Sequence, residues 1–257
     1  MNAPITPGFH WKNLVGLSDE ELSRIDIAKV NLACAESLPG ADKIKIPHCL
    51  RTLHRWADEV RVHTKKLLPR FQQDPASYNN SEAYFRVLTM TTVLIKNCGA
   101  RYNEAKIPLD VPLDLDDTFI HGIIQGQGGT CASLPVVWAA VGRRLGYPIK
   151  LVSTRSRVAG HLFARWDGGG ERFNIEVNNT GMGTTTDDEF RGEPYGLTPE
   201  MEAAGDYLKS KTPRQELAGS SPNAPTAGSI MATTAAPWKP GPGPPVSTAT
   251  ASSSKMR

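Results

Sequence analysis

The chain has 257 residues, 39% of them hydrophobic, with 29 Lys and Arg against 26 Asp and Glu, enough length and apolar content for one sizeable domain with a buried core. The only charges beyond residue 216 are Lys239, Lys255 and Arg257, so residues 1–216 hold 26 of each sign and are formally neutral, which removes the electrostatic motive for binding nucleic acid. No apolar run approaches the roughly 20 residues of a membrane span, and Met1 to Pro7 carry no basic stretch followed by an apolar one, so a soluble, cytoplasmic protein without a membrane partner is expected.

Ser18-Asp19-Glu20-Glu21 has the form of a capping box, and Leu22, Ile25, Ile27, Val30 and Leu32 continue as a single first helix towards Leu38-Pro39-Gly40. From Ile46 to Leu68 an apolar stripe of Leu50, Leu53, Trp56, Val60 and Leu67 predicts an amphipathic second helix. His48, Cys49, His54 and His63 belong to that helix amid many cations, and no metal set is read from them. A third helix, rich in buried-type residues, spans Ser81 to about Cys98. Tyr102 to Leu115, with Pro108 and Pro112, reads as a loop, after which Asp116-Asp117 starts a short helix reaching Ile123 or Ile124.

The chemistry concentrates next. In Gly126-Gln127-Gly128-Gly129-Thr130-Cys131 a glycine-rich loop delivers a thiol to the start of an apolar helix marked by Leu134, Val137, Trp138, Val141 and Leu145 and ended by Gly146-Tyr147-Pro148. Free backbone N–H groups at such a start favour a thiolate and hence a nucleophile. No Gly-Lys-Ser/Thr follows the glycines, which argues against a phosphate loop. The other cysteines, Cys34, Cys49 and Cys98, form no close pair, and free thiols are expected throughout.

Ile149 to Ser153 reads as a strand, and the segment Ser153 to Ala159 is longer than the next connection needs. The runs opened by His161 and by Arg172 flank the turn Asp167-Gly168-Gly169-Gly170 and form an antiparallel hairpin. Alternation puts Phe173, Ile175 and Val177 on the core face and Arg172, Asn174 and Glu176 on the other, where His161 can be met. Asn174 and Glu176 are equal by parity; Glu176 is preferred as the group that orients His161, with Asn174 as the alternative, because an acid stabilises the charged ring more strongly. The Cys131 backbone N–H is the first candidate oxyanion donor and Gln125, six residues upstream, the second.

These residues resemble the transglutaminase-like superfamily. The matching pieces are Gly129-Thr130-Cys131-Ala132-Ser133, Arg144-Leu145-Gly146-Tyr147-Pro148, Gly160-His161-Leu162-Phe163-Ala164-Arg165 and Phe173-Asn174-Ile175-Glu176, covering about residues 116–190. The resemblance implies a Cys-His-acid triad working through a thioester, in a family that includes proteases, amidases, transglutaminases and peptide deglycosylases. The family's third position is usually Asp, where this chain offers Glu176.

The expected fold is α+β: a helical region over residues 1–115 packed on a catalytic core over 116–216 with a small antiparallel sheet, followed by a disordered Pro/Ala/Ser/Thr-rich tail over 217–257. The expected function is cysteine-dependent acyl transfer on a peptide or protein amide bond by Cys131, His161 and Glu176, without cofactor or metal. The alternative is a non-catalytic protein-binding domain on the same scaffold.

Overall fold

A computed structural model describes residues 10–36, 38–106, 111–155, 160–178, 181–193 and 195–220. Over these residues the protein is α+β, with helices gathered on a four-stranded antiparallel sheet.

The capping box forms as read: Ser18 Oγ accepts from the Glu21 N–H and the Glu21 carboxylate accepts from the Ser18 N–H. It opens only a short helix, α1 (Asp19–Ser23), because Asp26 interrupts the expected continuation. Its carboxylate accepts from the Ala28 N–H at 2.9 Å, and its carbonyl from the Val30 N–H, so a second helix, α2 (Ile27–Glu36), starts afresh. The amphipathic helix α3 (Ile46–Gln73) runs one turn past the expected end, and α4 (Glu82–Lys96) is capped by Ser81. The expected short helix after the loop is two: α5 (Leu115–Thr118) and α6 (Ile120–Ile124) are separated by the extended Phe119.

The core is built around α7 (Leu134–Arg144), in which every residue from Leu134 to Gly142 is buried. It packs on α2, α3 and α4 on one side and on β1 and β2 of the sheet on the other. Trp138 donates to Thr91 at 2.9 Å, satisfying the one polar atom of a fully buried ring. Gly142 permits the helix to touch the sheet, since a Cβ there would lie 2.6 Å from Ile149 Cγ1. Each large apolar side chain removed from water in this way contributes about 1.5–3 kcal/mol before entropy is subtracted.

The sheet runs β1 (Ile149–Arg155), β2 (Gly160–Gly168), β3 (Glu171–Asn178) and β4 (Gly181–Gly183), in that order. The β2–β3 hairpin turns on Gly169 and Gly170, whose φ values of 64° and 80° suit the tight turns that match strand twist. The turn sets the register, Arg165 opposite Asn174 and Ala164 opposite Ile175. Ile149, Leu151, Ala164, Trp166 and Ile175 accordingly face α7, with Phe173 and Val177 packed beside them.

The opposite face is not simply polar. Val152 and Phe163 lie there under Phe190, Leu197 and Leu208, supplied by α8 (Asp187–Arg191) and the segments that follow it. Beyond α9 (Pro199–Ala204) the chain returns to the helices through α10 (Pro213–Ser220), which packs on α1 and α2. That corrects the expected start of the tail: Leu217 and Ser220 are buried in α10, where Arg143 ties the helix down through Glu216 at 2.9 Å. The rest of the tail expectation, residues 221–257, and residues 156–159 of the long connection lie outside the described residues. Among the described residues no helix is long and apolar enough to cross a membrane.

Candidate active site

Cys131 occupies a turn that runs straight into α7. Thr130 organises it: its carbonyl accepts from the N–H groups of Ser133 at 3.1 Å and Leu134 at 2.9 Å, and its hydroxyl from the Ala132 N–H at 3.2 Å. The hydroxyls of Thr130 and Ser133 donate to the Asp117 carbonyl at 3.0 and 2.7 Å, fastening the turn to α5. Gly129 admits no side chain, because a Cβ would fall 2.5 Å from Ile123 Cγ1 and 2.7 Å from Ser133 Oγ, and Gly128 holds a φ of 91°. The glycines before the thiol therefore serve close packing and a left-handed bend.

His161 and Glu176 come together on the face of the sheet turned away from α7. His161 Nε2 lies 2.9 Å from Glu176 Oε1 and 3.0 Å from Oε2. Cys131 stands close enough to the same imidazole to interact with it electrostatically. Burial disfavours the charged ring, but the Glu176 carboxylate, with help from Cys131, holds the His161 pKa well above its usual value. The pair remains open to solvent, with 23% of the His161 side chain and 19% of the Glu176 side chain exposed. Phe163 and Phe190 flank the imidazole with ring centroids 6.1 Å away, and Tyr195 at 6.3 Å.

The two weaker sequence assignments do not hold. Asn174 shares a face with Glu176 but gives its side-chain oxygen to Arg165 Nε at 2.6 Å and its amide to the Thr185 carbonyl at 2.7 Å and Asp187 at 2.8 Å, so it does not orient His161. Direct pairing of Arg165 with Asn174 across the hairpin explains this. Gln125 is exposed, and its amide donates to the Lys43 carbonyl at 3.4 Å instead of facing the thiol.

A residue read only as the start of a loop stands beside Cys131 instead. Tyr102 forms a parallel bridge with Gly129, secured by bonds from the Asn103 N–H to the Gly129 carbonyl at 2.7 Å and from the Gly129 N–H to the Arg101 carbonyl at 3.0 Å. Its phenol is near enough to Cys131 and Glu176 that these, after burial, help to raise its pKa. Asp117 braces this segment too: its side chain, 3% exposed, accepts from Asn103 at 2.9 Å and meets Lys106 at 2.9 Å. Burial pushes that carboxyl up, yet bonds from the Asp114 backbone, Lys106 and Asn103 outweigh it and keep the group below its usual range. An aromatic residue in an otherwise polar stretch was the available sign of Tyr102; its partner lies 29 positions along the chain and is brought in only by the bridge.

The remaining thiols are poorly suited to react. Desolvation raises Cys34 to about 12 and Cys49 to about 11, and burial together with Glu59 raises Cys98 to about 11. Among the described residues no group of three or more His, Cys, Asp or Glu is placed to hold a metal ion. No family model, curated protein or solved structure matches the chain.

Proposed function

We propose that the protein is a cysteine-dependent acyl-transfer enzyme, hydrolysing an amide or peptide bond through a thioester, on a core of transglutaminase-like type. The observation that carries the reading is the grip of both Glu176 oxygens on His161 Nε2 beside the Cys131 thiol. A carboxylate and a thiol set against one imidazole is the arrangement in which a proton leaves sulfur for a ring that is stabilised when charged.

Cys131 Sγ attacks the carbonyl carbon of the substrate, the Cys131 proton being held by His161. His161 then gives that proton to the departing amine as the thioester forms. Water loses a proton to the neutral ring, attacks the thioester and releases the acid, restoring the thiol. Glu176 keeps the ring oriented throughout and stabilises its charged form.

Alkylation by iodoacetamide across pH, followed by peptide mapping, tests the reading without a known substrate. Cys131 should react at least about tenfold faster than Cys34, Cys49 and Cys98 below pH 8, and His161→Ala should remove the advantage. If Cys131 reacts like the other three thiols in both proteins, it is not an activated nucleophile and the proposal fails.

A further inference from the structure

A second recess lies at the end of α7 away from Cys131. A cleft of about 340 Å³ opens between α1, the start of α2, α10 and the first residues of β1. Arg143, in the last turn of α7, lines it and follows Cys131 by twelve residues, about 18 Å at the helical rise per residue. The apolar walls are Leu22, Ile25, Ile27, Tyr147, Ile149 and Leu217.

The charges in the cleft are unequal: three cations, Arg143, Lys150 and Lys211, face two acids, Asp167 and Glu216. Both acids are engaged already. Glu216 takes the Arg143 guanidinium at 2.9 and 2.5 Å, and Asp167 takes the Ser210 hydroxyl at 2.5 Å. Among the described residues neither Lys150 nor Lys211 has an acid within ion-pair distance. Lys211 is held in place by its backbone. Its N–H donates to the Leu151 carbonyl at 2.8 Å, and the adjacent Ser210 bridges to Val152, which fixes both residues along the outer edge of β1. Burial pulls the Lys211 pKa down, and Asp206 and Glu216 only partly draw it back. An ammonium withdrawn from water without an ion-pair partner favours an incoming anion, which would restore part of the solvation it has lost.

We propose that this cleft binds a small carboxylic acid with an aliphatic or aryl body, its carboxylate on Lys211 and its body between Leu22, Ile27 and Leu217. Its volume falls at the lower end of the roughly 300–1,000 Å³ of small-molecule sites, and apolar walls with a few placed polar groups are their usual lining. A single negative charge matches the one cation in surplus, whereas a phosphate would bring a second towards Asp167 and Glu216. The inference goes beyond the acyl-transfer reading and does not depend on it.

Titration of the full-length protein with sodium octanoate, followed by two-dimensional amide NMR, tests the assignment. The amide signals of Ile25, Ile27, Tyr147 and Leu217 should move saturably, with a Kd on the order of a millimolar. Octanamide has the same length and no charge, and should bind at least about tenfold more weakly. Lys211→Met should weaken octanoate by at least about tenfold, and Lys150→Met by less. N-Acetyl-leucine, which ends as a peptide does, should bind less tightly than octanoate because its amide would be buried against the apolar walls. Equal or tighter binding of N-acetyl-leucine would assign the cleft to a peptide C-terminus and overturn the reading of a free acid. No saturable shift at these amides by about ten times the expected Kd, equal affinity for octanoate and octanamide, or full octanoate affinity in Lys211→Met would each overturn the proposal, as would a greater loss in Lys150→Met. The octanamide comparison uses wild type alone, so it decides the matter even if Lys211→Met fails to fold.

Discussion

The Arg165 guanidinium takes the Asn174 side-chain oxygen at 2.6 Å, directly across the β2–β3 hairpin, and thereby leaves Glu176 as the group that meets His161. Arg165 has no exposed surface; its other bonds go to the Leu208 carbonyl at 2.8 Å and to Asp187. A charge buried on strand β2 is thus paired and satisfied, and it joins the hairpin to α8 and to the segment near Leu208.

Arg165→Leu should therefore destabilise the fold by about 2–3 kcal/mol. This is less than the roughly 3–5 kcal/mol for breaking a fully buried pair, because the Asp187 side chain keeps 26% of its surface in solvent. The urea midpoint measures it. An unchanged midpoint would mean that Asn174 and Asp187 satisfy one another once the guanidinium is gone.

Glu176→Gln removes the charge that opposes burial at His161. Desolvation then prevails, and the imidazole should titrate at lower pH than in the wild type, towards or below the ordinary histidine value near 6.5. Ring-proton NMR of His161 reads this directly. At neutral pH the iodoacetamide rate of Cys131 should drop by at least about tenfold, as expected when a base is no longer held ready. A His161 titration that does not move would show that Glu176 is a bystander.

How much of this was legible in the residues follows from how local each determinant is. The capping box at Ser18 and the Gly169-Gly170 turn are short-range chemistry and formed as read. Strand parity narrowed the partner of His161 to Glu176 or Asn174 and could go no further, because Arg165, which claims Asn174, sits on the other strand of the hairpin in a register only the turn defines. Asp26 splits the first helix by a cap that a smooth apolar period conceals. Tyr102 was hard to place for a related reason: a bridge to Gly129 between two irregular segments brings it to the loop before Cys131, and neither segment has a period to read.

The raised His161 pKa also links stability to pH. A group whose folded pKa lies above its unfolded one adds stability that is fully present below the unfolded value and is lost as pH rises through the folded value. Wild type should therefore exceed His161→Gln in thermal midpoint by the widest margin near pH 6, and the margin should shrink by a few degrees as pH is raised towards 9. Midpoints at matched ionic strength for the two proteins give the comparison. A margin that widens with pH would mean that the ring is held neutral, contrary to its contact with both Glu176 oxygens.

Gly129→Ala tests whether the loop before the thiol is positioned by packing. The new Cβ would stand 2.5 Å from Ile123 Cγ1, 2.6 Å from its Cδ1 and 2.7 Å from Ser133 Oγ, all nearer than van der Waals contact. Ile123 is 2% exposed and Ser133 is fully buried, so neither side chain can swing into solvent. The strain must pass instead into the loop backbone, which carries both the Tyr102 bridge and Cys131. A loss of about 1–3 kcal/mol is expected from overpacking, with slower alkylation of Cys131. Gly126→Ala is the control: nothing lies within 4 Å of its Cβ, and it suffers only the cost of its φ of 86°, about 1 kcal/mol. If the two variants alkylate at the same rate, close packing at Gly129 does not position the sulfur.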